Sequence, residues 1–355
     1  MRRKPLVLAV LGAGGAMTAG AAAAQSSVTL YGLMDAGVEY ATHAGPNGGG
    51  ATRLVSGGKN TSRWGLRGTE DLGGGLKAVF QLESGIQIDT GRLDSDGTLF
   101  DRRATVGLSG SWGRLIMGRD FTTTYDYMLP FDPMGYAPNY SWATSSTATG
   151  GRKDGMFTRA SNAMRYDGTF GGLKVGATVA LGEVAGSFRS ASKYDVGVGY
   201  STGGFAAVVT WDRQNGAGTS TTPADATDYI QGIHAGASYD FGSLKLYAGY
   251  RNYKRAFTTS GASQRSAMYW AGASYDFTPA FTLYGAVYKQ VVKESGGDPI
   301  MFSLRGQYAL SKRTTAYLSA AYATAQQGHN VSVSRDLVGY GNNQFAVTAG
   351  LQHRF

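Results

Sequence analysis

Apolar and polar residues alternate with a period of two in one segment after another along this chain. Near the start, Val28, Leu30, Met34, Ala36, Val38 and Tyr40 share one parity, while Asp35 and Glu39 share the other. Over 76–88, Leu76, Ala78, Phe80, Leu82, Ile86 and Ile88 alternate with Lys77, Gln81, Glu83 and Gln87. At the far end, Phe345, Val347, Ala349, Leu351, His353 and Phe355 alternate with Ala346, Thr348, Gly350, Gln352 and Arg354. Successive side chains of a strand point to opposite faces, so this period predicts strands with one apolar and one polar face.

Read in this way the chain carries about sixteen strands: 28–40, 63–67, 76–88, 102–109, 114–118, 160–167, 173–182, 193–201, 205–214, 229–241, 244–254, 265–277, 281–291, 300–310, 314–325 and 344–355. Tight turns such as 242–243 and 311–313 alternate with longer polar connections such as 44–58, 89–98, 213–228 and 326–343. After the N-terminus no segment reaches the ~18 consecutive apolar residues of a transmembrane helix. The other structure that satisfies every backbone group in lipid is a closed β-barrel, apolar outside and polar inside. Tyr239, Phe241, Tyr275, Phe277, Phe281 and Tyr308 gather at the tight-turn ends, where such barrels carry an aromatic girdle. Small residues on the inward parity (Gly236, Ser238, Gly272, Ser274 and Gly350) would fill the core of a soluble sandwich poorly. The apolar last strand cannot leave its edge free in lipid, so it is expected to pair with the first strand. Sixteen strands enclose an aqueous channel, whereas about eight would be filled by side chains.

The N-terminus joins Arg2, Arg3 and Lys4 to an apolar run and an Ala22-Ala23-Ala24 site, which predicts a secretory signal peptide over 1–24, cleaved on export. Taking its three cations from the formal net charge of +9 leaves +6 for residues 25–355. The remaining charges are spread one or two per strand, without the basic, aromatic-interleaved block of a nucleic-acid binder. With no Cys there is no thiolate nucleophile, disulfide scaffold or cysteine metal site. The four His residues (His43, His234, His329 and His353) fall in no nucleophile or metal-ligand motif. The reading is therefore a channel without cofactor or metal, not an enzyme.

The longest interruption of the strand rhythm is 118–162. A long structureless loop in a compact domain usually carries function. This one holds Asp120, Asp126, Asp132, Pro130, Pro133, Pro138 and several aromatics, a composition suited to a packed excursion. It is expected to fold into the barrel and narrow it, with 119–160 as the constriction loop.

The segments QSSVTLYGLMDAGVEY, SRWGLRGTEDLGGGLKAVFQLESG, RRATVGLSGSWGRLIMGR, MRYDGTFGGLKVG and the terminal GLQHRF resemble, in order, the general porins of Gram-negative bacteria in their beta-proteobacterial branch. The resemblance covers nearly all of 25–355. It implies an outer-membrane homotrimer of sixteen-stranded antiparallel barrels whose third external loop folds inward. It also implies acidic loop residues facing a ladder of arginines, and a terminal Phe355 read by the barrel assembly machinery. Carried over residue by residue, the basic wall is Arg63, Arg102 and Arg165, and YDYMLPFD supplies Asp126, then Asp132. Parity places Arg63 and Arg67 inside opposite Trp64 and Leu66, and Arg165 inside between Met164 and Tyr166. At the next strand parity favours Arg103 where the family pattern favours Arg102, and both are carried. Lys77 completes the basic set. Asp120 is either an acidic loop residue or a local cap at the loop's start. PFDPMG departs from the pattern of enterobacterial relatives, which leaves the position of the second carboxylate open.

Wall arginines remain charged at any physiological pH, and loop carboxylates opposite them would create a transverse field. With Lys77, Lys174, Lys245, Arg251 and Arg305 on the inward parity and a net charge of +6, mild anion preference is expected. The expected cargo is ions and small hydrophilic solutes moving passively, with outer-membrane lipid around the barrel. A substrate-specific channel with a saturable solute site is the alternative.

Overall fold

The computed structural model describes residues 27–144, 154–216, 228–257, 262–293 and 297–355. The leader expected over 1–24 lies outside the described residues, as does part of the long interruption, 145–153. The strands are β1 (Ser27–Ala41), β2 (Ala51–Ser56), β3 (Arg63–Gly73), β4 (Leu76–Gln87), β5 (Arg92–Leu93), β6 (Arg103–Gly110), β7 (Gly113–Phe121), β8 (Arg159–Phe170) and β9 (Leu173–Ala180). They continue as β10 (Lys193–Thr202), β11 (Phe205–Asn215), β12 (Tyr229–Asp240), β13 (Leu244–Ala256), β14 (Ser263–Asp276), β15 (Phe281–Val292), β16 (Ile300–Ala309), β17 (Thr314–Thr324) and β18 (Asn343–Arg354).

All pairings are antiparallel between neighbours, and the ring closes where β1 meets β18, from Leu33 opposite Arg354 to Ala41 opposite Ala346. Phe355 extends that seam, exchanging backbone hydrogen bonds of 3.1 Å with Gly32. Two strands share one position in the ring. β2 pairs with the outer half of β1 and β3 with its inner half. β5 is a two-residue appendage of β4. The eighteen strands of the described residues therefore make a closed barrel of sixteen positions.

The alternation read from the sequence is the barrel's wall. Val28, Leu30, Val38 and Tyr40 are exposed on the outer face, while Asp35 and Glu39 are buried on the inner one. Outside, Phe205, Tyr239, Phe241, Tyr275, Phe277 and Tyr308 form an exposed aromatic belt at the tight-turn rim, with Tyr239–Phe241 and Tyr275–Phe277 rings in contact. The β3–β4 turn needs glycine for its backbone rather than for room. Gly73, Gly74 and Gly75 have φ of 87°, 60° and 81°, and a Cβ at any of them would meet open space.

The segment 44–58, expected as loop throughout, contains β2. Its six residues are too few for a convincing period on their own, but pairing with β1 supplies what local pattern does not. Leu54 is exposed outward, and inward Arg53 binds Glu39 at 2.6 Å. Between β2 and β3 the chain turns inward over 57–62. There Asn60 N–H donates to Asp35 Oδ2 at 3.0 Å, and Gln352 Nε2 donates to Asn60 Oδ1 at 2.8 Å. The other boundaries agree with the alternation to within three residues, except that β3, expected over 63–67, runs on to Gly73; β7 continues to Phe121 beyond 118 and β8 begins at Arg159. The latter two extensions pair across a bulge between Gly118 and Asp120.

Candidate functional site

Beyond Phe121 the chain leaves the wall and crosses the interior. A short helix, α1 (Thr123–Met128), starts under the cap of Thr122, whose hydroxyl accepts from Tyr125 N–H at 3.1 Å. Thr124 N–H and Oγ1 donate to the two oxygens of Asp195 on β10, at 2.9 and 2.8 Å. Thr123 and Thr178 of β9 share a 2.9 Å hydrogen bond. Further along, the Trp270 ring nitrogen donates to Phe131 O at 2.9 Å, Arg305 donates to Met134 O at 3.2 Å and Arg251 donates to Ala143 O at 2.6 Å. Asn139 Nδ2 reaches Glu39 of β1 at 3.0 Å. The segment thus lies along the inner wall from β9 round to β1.

Inward-facing glycines make the close approach possible. A Cβ on Gly236 would fall 2.6 Å from the Phe131 ring, and one on Gly176 would fall 2.5 Å from Tyr127 Oη. A second segment closes over the first. In 325–342, Ser332 O accepts from the Trp142 ring nitrogen at 3.1 Å and Ser334 Oγ donates to Asn139 at 2.8 Å, with Val331 and Val333 buried against the loop. From its residues this region reads only as a long polar connection, because its few apolar residues carry no period.

What the loop leaves uncovered is a polar space against β3, β4, β6 and β7. Arg63, Arg102, Arg103 and Arg114 border it with the carboxylates of Glu83 and Asp126, and Tyr125 and Tyr136 form its loop side. Burial holds both tyrosine hydroxyls above the ordinary tyrosine value, so they are neutral at physiological pH. Glu83 receives Arg102 Nε at 2.7 Å and Tyr31 Oη at 2.8 Å, with Arg63 Nε at 3.9 Å. Arg103 is ion-paired to Asp120 and lies 3.6 Å from Asp126.

The expected site residues separate into three groups. Arg63, Arg102, Arg103 and Asp126 border the space together. The choice between Arg102 and Arg103 dissolves, since both turn inward. Arg103 does so by strand parity opposite Glu83. Arg102 precedes β6 and is not bound by the pleat, so its side chain is free to swing to the same carboxylate. Arg67 sits nearer the tight-turn rim with Gln81 and Thr105, its guanidinium 5.2 Å from the Tyr31 ring. Lys77 lies further that way, across from Asp71 and Ser109.

The remaining three are buried. Arg165, 3% exposed, is locked beneath the loop's root by Asp126 at 2.6 Å, Asp167 at 2.9 Å and Phe121 O at 2.8 Å. Asp120, next to last in β7, pairs there with Arg103 and accepts from Phe121 N–H at 2.8 Å, while the cap of α1 is Thr122. Asp132 does not face the opening. It accepts from Met134 N–H at 3.3 Å, Tyr136 N–H at 2.7 Å, Ser141 Oγ at 2.7 Å and the Tyr288 hydroxyl, and so organises the back of the loop. Burial pushes its carboxyl above the usual range. Glu83, Tyr31, Tyr125 and Arg159 were not singled out. Of these, Glu83 and Tyr31 carry a signal in their inward parity on β4 and β1.

The model of the Gram-negative porin family matches residues 8–328. An outer membrane porin protein of Bordetella pertussis is 32% identical over 410 residues, covering 99% of this chain and all of that one. Outer membrane porin protein 32 of Delftia acidovorans is 34% identical over 369 residues, covering both chains fully. Among solved structures, an anion-selective porin from Comamonas acidovorans superposes with a TM-score of 0.80 at 29% identity, over 93% of this chain and 100% of that one. With an apolar exterior, a closed ring and a water-accessible, charge-lined interior, the chain belongs to the Gram-negative porin family and is an outer-membrane pore protein.

Proposed function

We propose that the pore is a general diffusion channel for ions and small hydrophilic solutes, with mild anion preference, and that 119–160 is its constriction loop. One observation carries this reading: among the described residues, four arginines but only two carboxylates border the uncovered space. Rings and patches of arginine favour anions, and a low-dielectric wall concentrates their field. The structural relative from Comamonas acidovorans is itself described as anion-selective, which supports the same sign here. The barrel would work as a homotrimer in outer-membrane lipid, exported by the 1–24 leader and assembled through recognition of Phe355.

The test is a planar bilayer with a tenfold KCl gradient. A reversal potential of the sign for chloride over potassium supports the reading, and clear cation preference removes it. Adding candidate solutes to the same bilayer reads the other half. Conductance that is unblocked and scales with bulk diffusion marks a general pore, whereas saturable block marks a specific one.

A further inference from the structure

Three like charges crowd around one ring, two of them (Arg102 and Arg103) bordering the opening, and ion pairing alone does not fix how they face. Arg102 is held by Glu83 at 2.7 Å, Arg103 by Asp120, and Arg159 by Asp101 at 3.5 Å. Each contact fixes one edge of a planar fork and leaves the plane to be set by whatever it stacks on. All three guanidinium carbons converge on a single ring, lying 5.0, 4.8 and 5.1 Å from the centroid of Phe121. That ring is 3% exposed and cannot move independently. Tyr125 stacks on it at 4.5 Å with 17° between planes, and Tyr136 packs on Tyr125 at 4.8 Å. Behind it, Arg165 grips Phe121 O at 2.8 Å.

We propose that Phe121 is the positioning residue of the constriction: its π-face orients Arg102, Arg103 and Arg159 and so sets the strength of the ion preference. The inference rests on the reading of this opening as the narrow part of the pore, and assigns its selectivity to a neutral residue that carries no charge of its own. The attraction of a guanidinium to an aromatic quadrupole is lost when the ring's electron density is withdrawn, even if its shape is kept.

The experiment reads the chloride-to-potassium permeability ratio of the full-length protein in planar bilayers. Phe121 is replaced by Leu, by Tyr, and by phenylalanine carrying one, two or three ring fluorines. Phe121→Leu is expected to lower the ratio about two- to fivefold, the range of a lost cation–π contact. Phe121→Tyr is expected to keep the native ratio. The fluorinated series, which preserves shape and folding, is expected to lower the ratio stepwise with each fluorine. A flat fluorine series, or a folded Leu variant with native selectivity, overturns the assignment. Failure of the underlying reading shows elsewhere, as cation preference in the unsubstituted protein, and the direction of the fluorine series still reads Phe121 in that case.

Discussion

Arg63 and Arg251 both project from the inward face of a strand, on opposite sides of one barrel, and they end in different chemistry. Arg251, on the half of the wall that the loop follows, is 1% exposed and binds the loop's Ala143 carbonyl at 2.6 Å. Arg63, on the half the loop leaves bare, keeps a side chain 28% exposed beside Glu83. Arg305 repeats the first pattern, donating to Met134 O, and Arg103 the second. Lining a pore is therefore a property of the loop's path as much as of the strand's parity. Arg251 and Arg305 on the covered half are spent on backbone carbonyls, and the arginines on the open half remain to act on passing ions.

The largest effect should come from the open half. Replacing Arg102 and Arg103 together by Gln leaves Arg63 and Arg114 balanced against Glu83 and Asp126, so the excess of positive charge is lost and the chloride-to-potassium ratio should fall about tenfold, which is about 1.4 kcal/mol, as read from the reversal potential. Retention of the native ratio would mean that the bare half does not set selectivity. Next comes the covered half's own anchor. Asp132→Ala strips the acceptor from four donors, at about 1–3 kcal/mol for each buried group left unsatisfied. The loop should loosen, seen as larger and noisier single-channel currents and faster proteolysis within 123–144, with a smaller change in selectivity than the double Gln variant.

Salt gives a weaker but independent reading. Raising KCl from 0.01 M to 1 M shortens the screening length from about 30 Å to about 3 Å, so the anion preference should decline steadily across that range. A ratio independent of salt would point to steric sieving instead. The smallest effect should be Arg251→Met, which changes the permeability ratio less than about twofold, because its charge lies behind the loop and is offset there by polar partners. A shift as large as that of the double Gln variant would erase the distinction between the two halves.

Much of this was legible before any coordinates. Strict alternation from Val28 to Tyr40 and from Phe345 to Phe355 specified which face met lipid, because a one-residue slip would expose every charge to it. The seam between β1 and β18 followed from the cost of an unpaired edge in hydrocarbon. Asp132 shows where that reasoning ends. The resemblance of YDYMLPFD to the family's acidic stretch implied a charge facing the pore, yet Ser141 and Tyr288, nine and 156 positions away in sequence, claim both its oxygens. Phe121 was hidden for the same reason, since its three arginine neighbours come from two other strands and the segment before one of them.

By itself, then, the sequence determined the wall: a period of two is local, and local sterics with the aversion of charge for lipid are enough to orient each strand. Only the tertiary structure decided the aperture. Which inward charges meet water depends on where one irregular segment comes to rest, and that is settled by hydrogen bonds to distant strands and by glycines such as Gly176 and Gly236 that make room for it.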